Sequence, residues 1–240
     1  DQESDRVLAG RLMTRGTAWI YYWILNVIGI LIGFYLSMGI DYFVLGFLFP
    51  LAAIMLYLYS SRYQKTVLTG NLMISLMSAL VILGLWFFEF FALKSDFIRF
   101  VDAMKQISIL QSIVFAYALF AFFVSLTREI VKDIEDQQRK EIRGDRTLVL
   151  VHGLKKAKTV AMIFHLVTMS LLSAALFLLY SERLMLVFWY LVVAVFTLFS
   201  YVFYQLVIAT NKKDFRFLSN AYKLIMLAGI LSMELFYITY

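Results

Sequence analysis

The chain has 240 residues, 62% of them hydrophobic, and a mean hydropathy of +0.82, whereas an ordinary soluble domain is about 45–50% apolar. This composition indicates a membrane protein, and with no cysteine and only 2 histidines it excludes disulfide frameworks and cysteine-ligated metals, so that any metal must rely on oxygen ligands. The net charge of +6 suits anionic partners such as phospholipid headgroups or a phosphorylated substrate, and so apolar a chain is a poor candidate for binding nucleic acid.

Apolar runs bounded by charged or turn residues predict seven helices of about the 20 residues that cross a hydrocarbon layer. In chain order they are Thr17–Ser37, Tyr42–Tyr59, Gly70–Leu93, Ile107–Thr127, Thr159–Tyr180, Leu184–Ala209 and Ser219–Tyr240. No separate soluble segment interrupts them. The predicted fold is therefore an all-α, polytopic transmembrane bundle that forms a single domain over residues 1–240.

Basic residues are concentrated on one side of this predicted bundle. The connections on the side of the Asp1 end hold 17 Lys and Arg, against 4 on the opposite side. Because cytoplasmic loops carry an excess of Lys and Arg, this side is predicted to face the cytoplasm, in the cell (inner) membrane.

Two groups of acids lie on that side, "DQESD" at Asp1–Asp5 and "REIVKDIED" at Arg128–Asp136. Asp1 and Asp5 are four residues apart, and Asp133 and Asp136 are three apart, so on a helix each pair shares a face. Four crossings lie between the two groups, so they can meet. Carboxylates without His or Cys favour Mg²⁺, which a few carboxylates hold while it bridges to substrate phosphates.

A simpler explanation of the same acids stays open. On a wet surface they would pair with neighbouring bases and bind nothing else, and spacings of three or four residues between acids arise often by chance. The bases available for such pairs are Arg6, Arg128, Lys132 and Arg139.

More of the chain resembles the UbiA family of membrane prenyltransferases. The resemblance is carried by "DQESDRV", "RLMTRG", "YSSRYQKTVLTGN", "REIVKDIED" and "GDRTL", in matching order over nearly the whole chain. Family members have nine helices and two motifs, N-x-x-x-D-x-x-x-D and D-x-x-D-x-x-x-D. The expected Asn falls before Asp1, and seven helices plus two make nine, so we expect two further helices to precede this chain.

The resemblance assigns Asp133 and Asp136 as the first two acids of the second motif. Lys140 stands where the third acid is expected, and Arg139 replaces a small residue. The Gly-x-x-Thr-Leu continuation is kept at Gly144–Leu148, which fixes the register.

By this resemblance the chain is a prenyltransferase that transfers an isoprenyl group from a prenyl diphosphate to a lipophilic acceptor in the membrane lipid, with Mg²⁺ drawing off the diphosphate. "REIVKDIED" is most similar to members that alkylate geranylgeranylglyceryl phosphate. Aromatic acceptors of quinone or tetrapyrrole pathways are the alternative, as is a catalytically impaired member with a binding role. A transporter is a further class, for which the sequence shows no inverted repeat or broken helix pair.

The candidate residues have four roles. The catalytic candidates are Asp133, Asp136 and Asp5, and the metal candidates are Asp1, Asp5, Asp133 and Asp136. The diphosphate-binding candidates are Arg62, Lys65, Lys132 and Arg11. Asn71 and Tyr59 are predicted to line the substrate pocket, since an unpaired amide in hydrocarbon is costly.

Overall fold

The computed structural model describes residues 14–95 and 97–239, and this part of the chain is helical with short connections. The helices are α1 Arg15–Gly39, α2 Leu48–Ser61, α3 Thr69–Ser95, α4 Phe97–Glu135, α5 Gln137–Ile142, α6 Leu148–Ser181, α7 Met185–Tyr190, α8 Thr197–Ile208 and α9 Lys212–Thr239. A 3₁₀ turn, Phe43–Phe47, leads into α2, and a second, Tyr63–Lys65, follows it. A π-helical segment, Leu191–Phe196, joins α7 to α8 without a break.

Six helical segments of the described residues are long and apolar enough to cross a membrane, in agreement with the predicted all-α bundle. They are Gly16–Gly39, Phe43–Ser61, Thr69–Ser95, Ile107–Glu135, Leu148–Ser181 and Met185–Ile208. The seventh predicted span lies within α9, which is 28 residues long but includes Lys223 and Glu234 and does not meet the same criteria. The chain is an integral membrane protein.

The described residues divide into two compact units. The first holds residues up to Tyr57 together with Phe87–Met104, and the second holds Leu58–Trp86 and everything from Lys105 onward. In the first unit, α1 packs on the 3₁₀ turn Phe43–Phe47. The rings of Phe34 and Phe43 lie 5.0 Å apart, and Gly46 leaves room for the Phe34 ring.

The core of the second unit lies between α4, α6, α8 and α9. The His165 ring of α6 stacks on Phe199 of α8 at 3.8 Å, and its Nδ1 lies 2.6 Å from the Tyr222 hydroxyl of α9. All three side chains are fully buried. The hydrogen bond between imidazole and phenol joins α6 to α9, and the ring stacking joins α6 to α8. The second imidazole nitrogen, Nε2, is buried without a hydrogen-bond partner among the described residues.

The structure corrects the prediction for Arg128–Lys158, which the sequence indicated as a connection. Most of it is helical, because α4 continues to Glu135 and α6 begins at Leu148. The reason is an apolar stripe that continues past the lipid-length segment: Ile130 and Ile134, four residues apart, are buried beside Val131. Gly153, at φ +82°, kinks the early part of α6.

The start of α9 is fixed by a side chain. The Asp214 carboxylate accepts the backbone N–H groups of Thr210 and Asn211, each at 2.9 Å. These two hydrogen bonds hold the pKa of Asp214 below its ordinary value. The helix that carries Tyr222 therefore begins at a defined residue.

Gly70 allows α3 to begin directly against the turn Tyr63–Lys65, since a Cβ at this position would lie 2.4 Å from the Tyr63 carbonyl oxygen. We predict that Gly70→Ala destabilises the protein by about 1–3 kcal/mol, because backbone atoms must shift to admit the methyl group. Thermal unfolding in detergent measures this. Gly84→Ala is the matched control in the same helix, since nothing lies within 4 Å of its added Cβ; equal losses in both variants would contradict the prediction.

Candidate active site at the ends of α3 and α4

The centre of the site is the carboxylate of Asp133, in the last turns of α4. Asp133 is only 3% exposed. One of its oxygens, Oδ2, accepts a hydrogen bond from Asn71 Nδ2 of α3 at 3.0 Å. The other, Oδ1, pairs with the Lys140 ammonium of α5, whose side chain is 13% exposed. A buried carboxylate without partners would cost several kcal/mol, so these two donors are what allow the charge to remain inside.

The break between α4 and α5 brings Lys140 back to Asp133. Asp136 stands at the break with φ −89° and ψ 10°, and its carbonyl accepts the Lys140 N–H at 3.0 Å. Lys140 is seven residues after Asp133, which is about 10 Å along the axis of an unbroken helix, and the break at Asp136 lets its side chain reach the carboxylate. The Asp136 carboxylate is itself paired, with Arg139 Nη2 at 2.5 Å.

The loop after α5 holds a second buried acid. Gly144, at φ +70°, turns the chain so that the Asp145 side chain is fully buried. Its Oδ2 accepts from Arg143, with Nε at 3.2 Å and Nη2 also in contact. Its Oδ1 has no hydrogen-bond partner among the described residues. The N–H of Arg146 donates to the Lys65 carbonyl at 2.9 Å, which ties this loop to the turn after α2.

Glu129, one turn before Asp133, extends the line of acids along α4. It is buried, accepts from Arg128 Nη1 at 2.6 Å and lies 4.0 Å from Lys132 Nζ. Lys132, a predicted diphosphate ligand, keeps 43% of its side chain exposed. Since a pair at 4.0 Å is loose, the Lys132 ammonium has donors available to an anion at this end of the helix.

The remaining predicted residues fall into three groups. Arg62 and Lys65 are exposed beside the turn after α2, and no described residue pairs with their side chains. Tyr59 is half-buried, with Glu129, Asp133 and Arg143 within electrostatic range of its hydroxyl. The others, Asp1, Asp5 and Arg11, lie outside the described residues.

The donors around Asp133 do not suit a divalent cation on that residue. Both carboxylate oxygens already face N–H donors, and Lys140 brings its own positive charge. Within residues 14–95 and 97–239 there is also no group of three or more His, Cys, Asp or Glu side chains placed to hold a metal ion. A metal ion on Asp133 would have to displace the Lys140 ammonium. Mg²⁺ usually binds one or two carboxylates and keeps several waters, and both oxygens of Asp133 are already engaged by donors.

Two charged residues at this site were given no role by sequence reasoning. In the sequence Lys140 is a departure from an acidic motif, and Asp145 is one residue of "GDRTL". A carboxylate directly after a glycine and between two arginines is a signal of a tight turn with an internal ion pair, and it could have indicated Asp145. The direction of the Lys140 side chain depends on the break at Asp136, which the sequence does not mark.

Helices of membrane length, with a buried acid among bases at one end, define a polytopic helical membrane protein. The chain belongs to the UbiA prenyltransferase family, whose model matches residues 1–227. This confirms the resemblance drawn from the sequence. Members of this family act on prenyl diphosphates and lipophilic acceptors and generally use divalent metal ions.

Similar proteins include two archaeal digeranylgeranylglyceryl phosphate synthases. The Methanothermobacter thermautotrophicus enzyme is 30% identical over 73% of this chain and 53% of its own length. The Methanosphaera stadtmanae enzyme is 27% identical over 98% of this chain and 79% of its own length. A solved structure described as digeranylgeranylglyceryl phosphate synthase superposes with a TM-score of 0.61 at 22% identity, covering 96% of this chain and 76% of that one. The likeness to the solved structure shows the shared fold.

The contact between Asn71 and Asp133 gives a test of the site's architecture. Asn71→Ala leaves a buried carboxylate oxygen without its donor, and we predict a loss of about 1–3 kcal/mol in stability. Thermal unfolding in detergent measures the loss. Asn26→Ala is the control, because the Asn26 amide donates only to the Tyr22 carbonyl of its own helix; the site's architecture is contradicted if Asn71→Ala is no more damaging than Asn26→Ala.

Proposed function

We propose that this chain transfers an isoprenyl group from a prenyl diphosphate to a lipophilic acceptor, with geranylgeranylglyceryl phosphate as the favoured acceptor. The observation that carries the proposal is the buried Asp133 carboxylate, held at a membrane-helix end by Asn71 and Lys140. Two bases with no side-chain partner among the described residues, Arg62 and Lys65, lie in the same compact unit. The printed names of the archaeal relatives support the choice of acceptor.

The transfer breaks the bond between the prenyl carbon and the diphosphate oxygen, and the electron pair leaves with the diphosphate. Positive groups aimed at the departing oxygens stabilise that charge, and we propose Lys132, Arg62 and Lys65 for this role together with Arg11. The acceptor hydroxyl then bonds to the carbon and loses its proton, which leaves an ether. We propose that Asp5 and Asp136 assist this step, and that Asn71 and Tyr59 border the substrate.

The metal ion that this proposal requires is assigned to the first acidic motif. A Mg²⁺ ion bound with the diphosphate supplies positive charge to the leaving group, and we propose Asp1 and Asp5 as its carboxylates. Asp136 is a further candidate, because only one of its oxygens is engaged by a described donor. Asp133 is the candidate whose contacts fit the ion least.

A large apolar cavity of about 450 Å³ lies within the second unit, lined by residues of α4, α6 and α9 among others. The α4 residues that line the cavity run from Ile109 to Phe120. At a rise of 1.5 Å per residue they lie about 20–36 Å from Asp133 along the helix axis. This distance is too large for the reacting carbon. We propose that the cavity receives the far end of a lipophilic tail, which suits its almost wholly apolar lining.

We further propose that the Asp133 end of the helices faces the cytoplasm, in the cell (inner) membrane. The support is the distribution of Lys and Arg, 17 on that side against 4 on the other.

We predict that Asp133→Ala abolishes Mg²⁺-dependent release of diphosphate from labelled geranylgeranyl diphosphate, by at least about a hundredfold, because the charges around the leaving group are no longer held in place. A detergent unfolding curve checks that the variant is folded. Glu234→Ala, at an exposed position of α9, is the control and keeps full release. Unchanged release in Asp133→Ala would remove this residue from the site.

The acceptor is tested with a panel. Purified protein is given Mg²⁺, labelled geranylgeranyl or farnesyl diphosphate, and either geranylgeranylglyceryl phosphate or an aromatic quinone precursor. We expect transfer to geranylgeranylglyceryl phosphate with the C20 donor. Transfer to the aromatic acceptor alone would establish the alternative.

The Lys140–Asp133 pair favours one second candidate, a catalytically impaired member with a binding role. In that case no donor and acceptor pair yields transfer with the natural chain, and Lys140→Asp gains it. Transfer by the natural chain excludes this candidate.

A further inference from the structure

Lys140 changes the net charge of the acidic motif that holds Asp133 and Asp136. Asp133 and Asp136 contribute two negative charges, and Lys140 and Arg139, which pair with them, contribute two positive charges. This part of the site is therefore close to neutral, whereas attraction of a divalent ion depends on an excess of carboxylates. The Asp133–Lys140 pair is buried, with Asp133 3% exposed and Lys140 largely covered, whereas Arg139 of the other pair is exposed. The neutrality of the Asp133–Lys140 pair is therefore the feature that bears on metal binding.

The ammonium of Lys140 can serve two partners at once. It has three N–H donors, of which the Asp133 contact uses one. Asn71 holds the other oxygen of Asp133, so the carboxylate is fixed in orientation and fixes the ammonium in turn. A lysine held this way is a positive charge at a defined position with donors to spare, which suits the oxygens of a phosphate or diphosphate.

We propose that Lys140 is a tethered cation that takes the place of a divalent ion on Asp133 and binds a diphosphate oxygen directly. The chain therefore binds one divalent ion fewer with its diphosphate than it would with an acid at position 140. This inference rests on the proposed function only in taking a diphosphate as the ligand. Asp133 and Asn71 are positioning residues in it, and Lys140 is the group that touches the ligand.

The test counts metal ions without any transfer reaction. The purified chain in detergent is titrated with Mn²⁺ in the presence of inorganic pyrophosphate, and free Mn²⁺ is measured by electron paramagnetic resonance. We expect Lys140→Asp to bind one Mn²⁺ per chain more than the natural protein, and its unfolding temperature to rise with Mn²⁺ more than that of the natural protein. Equal stoichiometry would overturn the inference.

Lys156→Asp is the matched control, with the same change of charge at an exposed position of α6. It is expected to leave the Mn²⁺ count unchanged. A gain in Lys156→Asp equal to that in Lys140→Asp would show a general charge effect and would also overturn the inference.

A second pair of variants keeps the test decisive if Lys140→Asp does not fold. With EDTA present, pyrophosphate binding is measured by calorimetry for the natural protein, Lys140→Arg and Lys140→Met. We expect Lys140→Met to bind about tenfold more weakly, through loss of a charge-assisted hydrogen bond, and Lys140→Arg to retain most of the affinity. Undiminished binding by Lys140→Met contradicts the inference. None of these readouts needs an acceptor, so an absence of prenyl transfer leaves their result intact and a failure here leaves the proposed transfer standing.

Discussion

The burial of one carboxylate, Asp133, is the constraint on which the site depends. At the end of a membrane helix a charge is tolerated only when donors replace the water it has lost. Here those donors come from two other elements, Asn71 at the start of α3 and Lys140 in α5. Satisfying this one group therefore fixes the relation of α3, α4 and α5, and gives the site its shape.

Further contacts hold the chain next to this carboxylate in place. The carboxylate of Asp145 is fully buried against Arg143, and the N–H of Arg146 reaches the Lys65 carbonyl of the turn after α2. The first contact closes the loop on itself, and the second joins the loop to the backbone of the turn after α2. Arg62 then projects from an anchored turn, which lowers the conformational entropy cost of the anion binding proposed for it.

The charged residues around Asp133 and the apolar cavity lie at opposite ends of the second unit. The His165, Phe199 and Tyr222 cluster locks α6, α8 and α9 between the charged end and the apolar cavity. A ligand with a charged head and a long hydrocarbon tail matches this division, because each part then meets surroundings of its own polarity. Membership of the family agrees with the separation of a charged end from an apolar cavity. The two conclusions rest on different residues.

The sequence by itself determined the class of fold, the family and the order of the helices, because lipid requires long apolar segments and leaves them visible as runs such as Thr69–Ser95. It also located Asp133 and Asp136, since acids at that spacing are readable without coordinates. Only the tertiary structure decided that α4 continues to Glu135, that Asn71 donates to Asp133, and that Lys140 points back toward this carboxylate rather than to solvent. These three features depend on contacts between residues far apart in the chain and on the break at Asp136. A pattern of residue types along the sequence does not specify the direction of a side chain, nor which distant donor will meet a buried charge.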